Sequence, residues 1–246
     1  MRWILWLACG LAGPATAQQA HVAVAANFAA PAKHLISIFE KWGGRQVLLS
    51  TGSTGKFYAQ IKGGAPFDVL LSADAETPAR LEKESLAVAG QRFTYALGKV
   101  VLWSAQSGVV DGRGEILRKA SFRRLSIANP RLAPYGAAAQ QVMEKLGVWT
   151  ALQQKLVLGE NIAQAYQFVA TGNAELGFVA YSQIREPGKD SAGSFWLVPQ
   201  ALYAPIRQDA VLLARGQGNQ AARQFLEFLR SAPAREVIHA YGYDLP

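Results

Sequence analysis

The chain has 246 residues, of which 50% are hydrophobic and 17% are charged, and its formal net charge at pH 7 is +8. This length fits one large domain or two small ones, and the hydrophobic fraction is sufficient for a buried core. The positive charges are scattered along the sequence rather than interleaved with aromatic residues as in nucleic-acid grooves, so we expect no nucleic-acid partner and only a general attraction for anions.

Residues 1–17 have the pattern of a secretion signal peptide. Arg2 supplies the positive start, residues 3–13 form the apolar core, and the Ala-Thr-Ala sequence at residues 15–17 is a small-x-small cleavage site. The apolar stretch is about half the roughly 20 residues that a transmembrane helix needs. We therefore predict that the chain is exported and that its mature form begins near Gln18.

Metal-binding chemistry has little support in the sequence. The single cysteine, Cys9, lies inside the predicted signal peptide, so the mature chain can form neither a disulfide nor a thiolate metal site. The three histidines, His21, His34 and His239, stand singly and lack the spacing of metal ligands. We expect no free metal cation and no cofactor.

After the signal peptide, short apolar runs alternate with segments of helical periodicity. The predicted strands are residues 21–25, 46–50 and 67–71, and the predicted helices cover 31–42, 56–62 and 77–84. An alternation of strands and helices of this kind indicates a parallel sheet that is covered on both faces.

From Arg92 onward the pattern changes. Residues 93–97 and 99–103 are rich in β-forming residues without a helix between them, which indicates a crossing into a second sheet. Further strands are predicted at 125–128, 176–179, 195–198 and 210–213, and further helices at 137–146, 163–171, 220–230 and 233–241.

The predicted fold class is α/β, with two lobes that are each a mostly parallel sheet flanked by helices. Two crossovers, near residues 92–102 and 202–212, would join the lobes. Lobe 1 is predicted to contain residues 18–98 and 206–246, and lobe 2 residues 99–205. Open α/β sheets bind ligands at the carboxyl ends of their strands, so we expect a ligand in the cleft between the lobes.

Four short loops deliver small polar residues to the starts of predicted helices. They are Ala26-Asn27, Gly52-Ser53-Thr54, Pro134-Tyr135-Gly136 and Glu160-Asn161-Ile162. A helix start leaves N–H groups unpaired and carries about half a positive charge, so each one favours a negative ligand. If the four loops converge, they would bind an oxyanion largely through backbone groups.

Ordinary helix capping is the alternative interpretation of Asn27, Ser53 and Thr54, since these residue types are favoured caps. Tyr135 has its own alternative, an aromatic residue that covers a surface turn. Ile162 can offer a ligand only its N–H group. Capping and ligand contact are compatible roles, and the recurrence in four loops favours a binding site.

Two other chemistries are disfavoured by residue spacing. A nucleotide phosphate loop at residues 52–56 would need Gly at position 50 and Ser or Thr at 57, where Ser50 and Phe57 stand. A serine hydrolase built on Ser53 or Ser104 would lack the Gly-x-Ser-x-Gly turn, and no serine, histidine and acid set has a recognisable spacing. We therefore expect a binding protein rather than an enzyme.

Several segments together resemble the molybdate-binding periplasmic proteins of ABC transporters. The resemblance is carried by VAANF at residues 24–28, TGSTGKFYAQI at 51–61 and GAPFDVLLSAD at 64–74. It continues at residues 129–136, 145–149, 176–179 and 241–243. These segments occur in the same order over nearly all of the mature chain, which implies the two-lobed periplasmic binding protein fold.

The resemblance also implies a ligand and its contacts. The oxyanion would be molybdate or tungstate, with sulfate or thiosulfate as the alternative, and the membrane permease of an ABC transporter, a separate protein, would receive it. The implied ligand-binding residues are Asn27, Ser53, Thr54, Tyr135 and Ile162, and the additional candidates are Ala26, Gly52 and Tyr181. Many relatives carry Ser at the position of Asn27. We expect the protein to act as a monomer in the periplasm.

Overall fold

The structure is a computed structural model that describes residues 19–188 and 193–246. The predicted signal peptide lies outside the described residues. Within the described ranges, no helix combines the length and the apolar character needed to cross a membrane.

In the described residues, ten strands form two five-stranded sheets. In chain order they are β1 (Ala20–Ala25), β2 (Val47–Gly52), β3 (Val69–Leu71), β4 (Phe93–Gly98), β5 (Val100–Ser104), β6 (Leu125–Ala128), β7 (Leu156–Gly159), β8 (Leu176–Ala180), β9 (Ser194–Leu197) and β10 (Ile206–Leu212). The first sheet has the order β2-β1-β3-β10-β4 and the second has the order β7-β6-β8-β5-β9. We call the part of the molecule built on the first sheet lobe 1 and the part built on the second sheet lobe 2.

The described α-helices flank these sheets. They are α1 (Ala29–Lys41), α2 (Thr54–Lys62), α3 (Glu76–Lys83), α4 (Ile116–Lys119), α5 (Pro134–Lys145), α6 (Trp149–Leu152), α7 (Ile162–Ala170), α8 (Tyr181–Ile184), α9 (Gln220–Arg230) and α10 (Ala232–Ala240). A 3-10 turn, Ala26–Phe28, connects β1 to α1. Sequence periodicity did not predict α4, α6 or α8, because a helix of four residues is about one turn and displays no period. The strand β7 was not predicted either.

Both sheets are mixed. β1 runs parallel to β2 and β3, whereas β10 runs antiparallel to its neighbours β3 and β4. In the second sheet, β6 is parallel to β7 and β8, and β5 is antiparallel to β8 and β9. The antiparallel pairs involve the strands next to the crossovers, since β4 passes directly into β5 through Lys99 and β10 returns the chain from β9 to lobe 1.

Each sheet is covered on both faces, and lobe 1 shows how the sequence achieves this. Leu35, Phe225 and Ile238, from α1, α9 and α10, pack on one face of the first sheet. Phe57 and Ile61 of α2 pack on the opposite face. Because β1 lies between these layers, it reads as a nearly continuous apolar run, as parallel strands buried on both faces do. Its carboxyl end points toward lobe 2, where the chain begins its first helical turn.

Candidate functional site

The four polar loops meet at one small cavity between the lobes. The space between its lining atoms is about 190 Å³, which includes the part open to solvent. Its lining residues are Ala25, Ala26, Asn27, Gly52, Ser53, Thr54, Ala73, Ala133, Pro134, Tyr135, Asn161 and Ile162. The structure thus brings together seven of the eight residues that the sequence singles out, and leaves out Tyr181.

Ser53 immediately precedes α2 and has extended backbone angles, φ −85° and ψ 149°. Its hydroxyl does not cap the helix, so the capping interpretation of Ser53 is wrong. The side chain is only 3% exposed, and within residues 19–188 and 193–246 its oxygen is the sole buried side-chain polar atom without a hydrogen-bond partner. Leaving such a group unpaired costs about 1–3 kcal/mol, so the cavity wall holds a hydroxyl that a ligand can satisfy.

Thr54 links its loop to the end of β3. Its hydroxyl oxygen accepts a hydrogen bond from the Ala73 N–H at 3.1 Å and lies 3.4 Å from the Ser72 hydroxyl. Thr54 is the acceptor in both contacts, since the Ser72 hydroxyl is placed as the donor to it. The proton of Thr54 is used in neither bond and is available for donation at the cavity wall.

Asn27 lies in the 3-10 turn after β1 and is 2% exposed. Its side-chain nitrogen donates to Gln208 Oε1 at 2.8 Å and to the Tyr243 hydroxyl at 2.9 Å. Both amide protons are therefore used outside the cavity, and Asn27 lies within the 3-10 turn rather than at its N-cap, which is Ala25. What Asn27 can offer an anion is its backbone N–H, because the first N–H groups of a helical turn have no partner within it.

Tyr135 follows Pro134 in the first turn of α5 and is 2% exposed. It is therefore not a surface aromatic residue. Its hydroxyl accepts a hydrogen bond from Gln208 Nε2 at 3.2 Å, and burial raises its pKa well above 10, so the hydroxyl stays protonated. The side chain is committed to Gln208, which leaves the N–H group as the part of Tyr135 that can meet an anion.

The fourth loop precedes α7. Asn161 is the N-cap of this helix, since its side chain accepts a hydrogen bond from the Gln164 N–H at 3.0 Å. Asn161 also lines the cavity, although it is not among the ligand-binding residues predicted from the sequence. An asparagine directly before a helical segment is a favoured N-cap, and that position could have predicted its place in the site. Ile162 is 3% exposed and packs its side chain in the core of lobe 2, so only its N–H group can serve a ligand.

Tyr181 does not reach the cavity, which corrects its candidacy. It is the first residue of α8, its N–H donates to the Lys99 carbonyl at 2.9 Å, and its ring lies 6.0 Å from that of Phe195. The start of α8 instead turns Ser182 toward the site, and the Ser182 hydroxyl donates to the Asn27 carbonyl at 3.0 Å.

The cavity wall carries no ionisable group other than the Tyr135 phenol, which is turned away. An ion pair between Lys56 and Glu160 links the lobes at the surface, with side chains 43% and 63% exposed. In the part of the chain that the structure describes, no group of three or more His, Cys, Asp or Glu residues is placed to hold a metal ion. Helix starts and hydroxyls of this kind suit a small anion.

A donor-lined cavity closed between two α/β lobes defines the class of extracellular binding proteins that enclose a small solute. The chain belongs to the bacterial extracellular solute-binding protein family, whose model matches residues 20–244. The predicted two-lobed fold of the periplasmic binding protein type is confirmed.

Individual relatives support this assignment. The chain is 58% identical to the molybdate-binding protein ModA of Azotobacter vinelandii, over 99% of this chain and 97% of that protein. It is 52% identical to ModA of Rhodobacter capsulatus, over 97% and 93% of the two chains. A solved structure of a periplasmic molybdate-binding protein of Azotobacter vinelandii superposes with a TM-score of 0.90 at 41% identity, covering 92% of this chain and 99% of that one. The resemblance found in the sequence is thereby confirmed.

Proposed function

We propose that this protein captures a tetrahedral oxyanion, molybdate or tungstate, in the cavity between its lobes and delivers it to the membrane permease of an ABC importer. The observation that carries the proposal is the unpaired, buried hydroxyl of Ser53 in a wall built from helix starts. The names of the relatives support molybdate as the ligand.

The chemistry of the wall favours a fully ionised anion. A buried dianion loses its hydration and must be met by a nearly complete shell of donors. Each charge-assisted hydrogen bond contributes roughly 1.5–3 kcal/mol, so about six or seven of them support submicromolar affinity after the costs of association. An anion that still carries a proton would need an acceptor, and a wall of N–H and O–H donors disfavours it.

The same wall argues against catalysis. Ser53 is the one unpaired hydroxyl of the cavity, yet no histidine or carboxylate is among the lining residues to activate it as a nucleophile. We infer that the protein binds and releases its ligand unchanged and uses no cofactor.

Export and assembly complete the proposal. The sequence pattern of residues 1–17 supports cleavage near Gln18 and a periplasmic location. We expect a monomer, since one chain contributes both walls of the cavity. Mass spectrometry of the protein recovered from the periplasm should give a first residue near Gln18, and an intact Met1 would contradict export.

The function is tested by isothermal titration of the purified mature chain with molybdate, tungstate, sulfate and phosphate. We expect molybdate and tungstate to bind much more tightly than sulfate and phosphate. Equal or tighter binding of sulfate would replace the proposed ligand by sulfate or thiosulfate. Absence of binding for all four anions would overturn the function itself.

A further inference from the structure

A buried hydrogen-bond network lies behind the cavity wall, on the side away from the ligand space. Its members come from both lobes and none is more than 6% exposed: Asn27, Tyr95, Tyr135, Ser182, Gln208 and Tyr243. Burial raises the pKa of Tyr243 to about 12 and that of Tyr95 well above 10. The phenols of the network are therefore neutral, and its bonds persist across the physiological pH range.

Gln208 is the centre of this network. Its side-chain oxygen accepts from the Asn27 amide at 2.8 Å, and its side-chain nitrogen donates to the Tyr135 hydroxyl at 3.2 Å. Asn27 belongs to lobe 1 and Tyr135 to lobe 2, and both also line the cavity. One amide group thus joins the two walls between which an anion would sit.

The strand pairing next to Gln208 is irregular. The pairing of β10 with β4 shifts register between Gln208 and Asp209, because Tyr95 of β4 is an extra residue without a partner on β10. Both Gln208 and Asp209 are buried, at 0% and 1% exposure, since the sheet is covered on both faces. Gln208 points to the junction of the lobes, while Asp209 pairs with Arg92.

The groups around Gln208 are closely packed. A Cβ at Gly98, in the crossover strand β4, would overlap the Tyr135 hydroxyl and lie 2.8 Å from Gln208 Nε2. Besides the Gln208 amide, a second set of hydrogen bonds joins the lobes. The Tyr243 hydroxyl lies 2.8 Å from the Ser182 hydroxyl, which donates to the Asn27 carbonyl. Two sets of hydrogen bonds therefore connect the two walls behind the cavity.

We propose that Gln208 is a positioning residue that sets the width of the cavity and thereby its selectivity for anion size. This inference rests on the proposed function. The N–H groups of Asn27 and Tyr135 would contact the anion, and the Gln208 amide fixes the distance between them. A rigid separation that fits a larger oxyanion leaves gaps around a smaller one, because each bond weakens steeply with length.

The test compares Gln208→Met with the wild-type chain in titrations with molybdate and sulfate. Methionine keeps the length of the side chain but removes its bonds to Asn27, Tyr95 and Tyr135. We expect molybdate affinity to fall about tenfold, a loss typical of one or two hydrogen bonds, while sulfate affinity changes less than about twofold. The ratio of the two affinities should therefore fall at least about fivefold.

Tyr203→Phe is the matched control. Tyr203 is also a buried tyrosine, but its hydroxyl accepts from the Val100 N–H at 3.2 Å within lobe 2 and the substitution leaves the Gln208 bonds intact. Its affinity ratio should equal that of the wild type. If Gln208→Met does not fold, as judged by circular dichroism, Tyr135→Phe carries the test, since it deletes one Gln208 bond and keeps the N–H group.

The outcomes separate the inference from the function. Equal losses for both anions would mean that Gln208 supports the fold only, and would overturn the inference while leaving the function intact. A wild-type chain that binds neither anion would overturn both. If Gln208 is a positioning residue, the ratio of molybdate affinity to sulfate affinity should be smaller in Gln208→Met or Tyr135→Phe than in the wild type. In Tyr203→Phe the same ratio should be unchanged.

Discussion

At the scale of single residues, a position in the cavity wall does not by itself mean that the side chain can bind the ligand, as Ser53, Asn27 and Tyr135 show. All three line the cavity, as the sequence predicts. Only the Ser53 hydroxyl is unpaired there, whereas the Asn27 amide and the Tyr135 hydroxyl are bonded to Gln208. The side chain of Ser53 is therefore the one whose removal should affect an anion directly.

We predict that Ser53→Ala lowers oxyanion affinity about tenfold or more without lowering stability. A hydrogen bond to a charged ligand is worth about 1.5–3 kcal/mol, whereas the ligand-free chain loses only a hydroxyl that has no partner. Isothermal titration and thermal unfolding of the ligand-free protein measure the two effects.

Ser126→Ala is the control for this prediction. Its hydroxyl is also buried but donates to the Ala165 carbonyl at 3.0 Å, away from the cavity. We expect this variant to lose stability by about 1 kcal/mol and to retain affinity. Wild-type affinity in Ser53→Ala would show that the hydroxyl does not face the ligand.

At the scale of elements, the helix starts divide into capped and uncapped ones. Asn161 caps α7, and Asp74 accepts the Thr77 N–H at 2.8 Å in the first turn of α3, as the Asp74 pattern before a helix indicates. The 3-10 turn after β1 and the starts of α2 and α5 have no side-chain cap. Residues of these three uncapped starts and of the capped start of α7 line the cavity, and unpaired N–H groups at helix starts are how a helix terminus becomes an anion site.

The start of α3 gives a prediction about pH. Burial raises the pKa of Asp74 above its unfolded value of 3.8, so the folded chain holds this proton to higher pH than the unfolded chain. The stabilising contribution of Asp74 is then complete below the unfolded pKa and is lost as pH rises through the folded pKa. Asp74→Asn does not ionise, and its amide oxygen can still accept the Thr77 N–H. The stability of this variant relative to the wild type should therefore increase with pH over that window.

Urea unfolding in steps from about pH 3 to pH 7 measures this difference. Asp111→Asn provides the opposite case. Desolvation raises the pKa of Asp111, but the hydrogen bonds that its carboxylate accepts from backbone N–H groups, first that of Arg113, lower the pKa by more. The pKa of Asp111 is therefore below its unfolded value. Its contribution is present above the unfolded pKa and is lost as pH falls through the folded one. A pH-independent difference between Asp74→Asn and the wild type would contradict the prediction.

At the scale of the whole molecule, the lobes are in contact around the cavity. The Gly55 N–H, from the first turn of α2, donates to the Leu132 carbonyl of lobe 2 at 3.0 Å. A Cβ at Gly55 would lie 3.1 Å from that oxygen and 3.2 Å from the Leu132 Cα. Glycine at this position permits the approach of the lobes that encloses the cavity.

We predict that Gly55→Ala weakens oxyanion binding roughly three- to tenfold while stabilising the ligand-free chain. Periplasmic binding proteins close their domains around a ligand, and the added methyl group would press on Leu132 when the lobes are in contact, as they are in this structure. When the lobes are apart this contact is absent, and within α2 alanine is favoured over glycine by about 1 kcal/mol. The affinity measured by titration should therefore fall, while the thermal unfolding temperature of the ligand-free chain should rise.

Gly63→Ala is the matched substitution at the other end of α2. Its Cβ would meet only the carbonyls of Ala59 and Gln60 at 3.4 Å, so we expect unchanged affinity. An affinity of Gly55→Ala equal to that of Gly63→Ala would show that closure does not depend on the space at Gly55.

The sequence by itself determined the alternation of strands and helices, the crossing from β4 to β5 and the loops that would line a site. These features are local, because periodicity, glycine stops and unpaired N–H groups at helix starts depend on residues a few positions apart. The lengths and ends of long elements such as α9, predicted and observed at 220–230, follow from such patterns.

Only the tertiary structure decided what each side chain in those loops does. Asn27 and Gln208 are bonded across 181 positions of sequence, and Asn27 and Tyr243 across 216. Gln208 is bonded to Asn27 of lobe 1 and to Tyr135 of lobe 2, and Tyr181 packs near Phe195 rather than at the cavity. Such contacts depend on how two lobes approach each other, and no local pattern encodes that approach, which is why the loops were predictable and the network behind them was not.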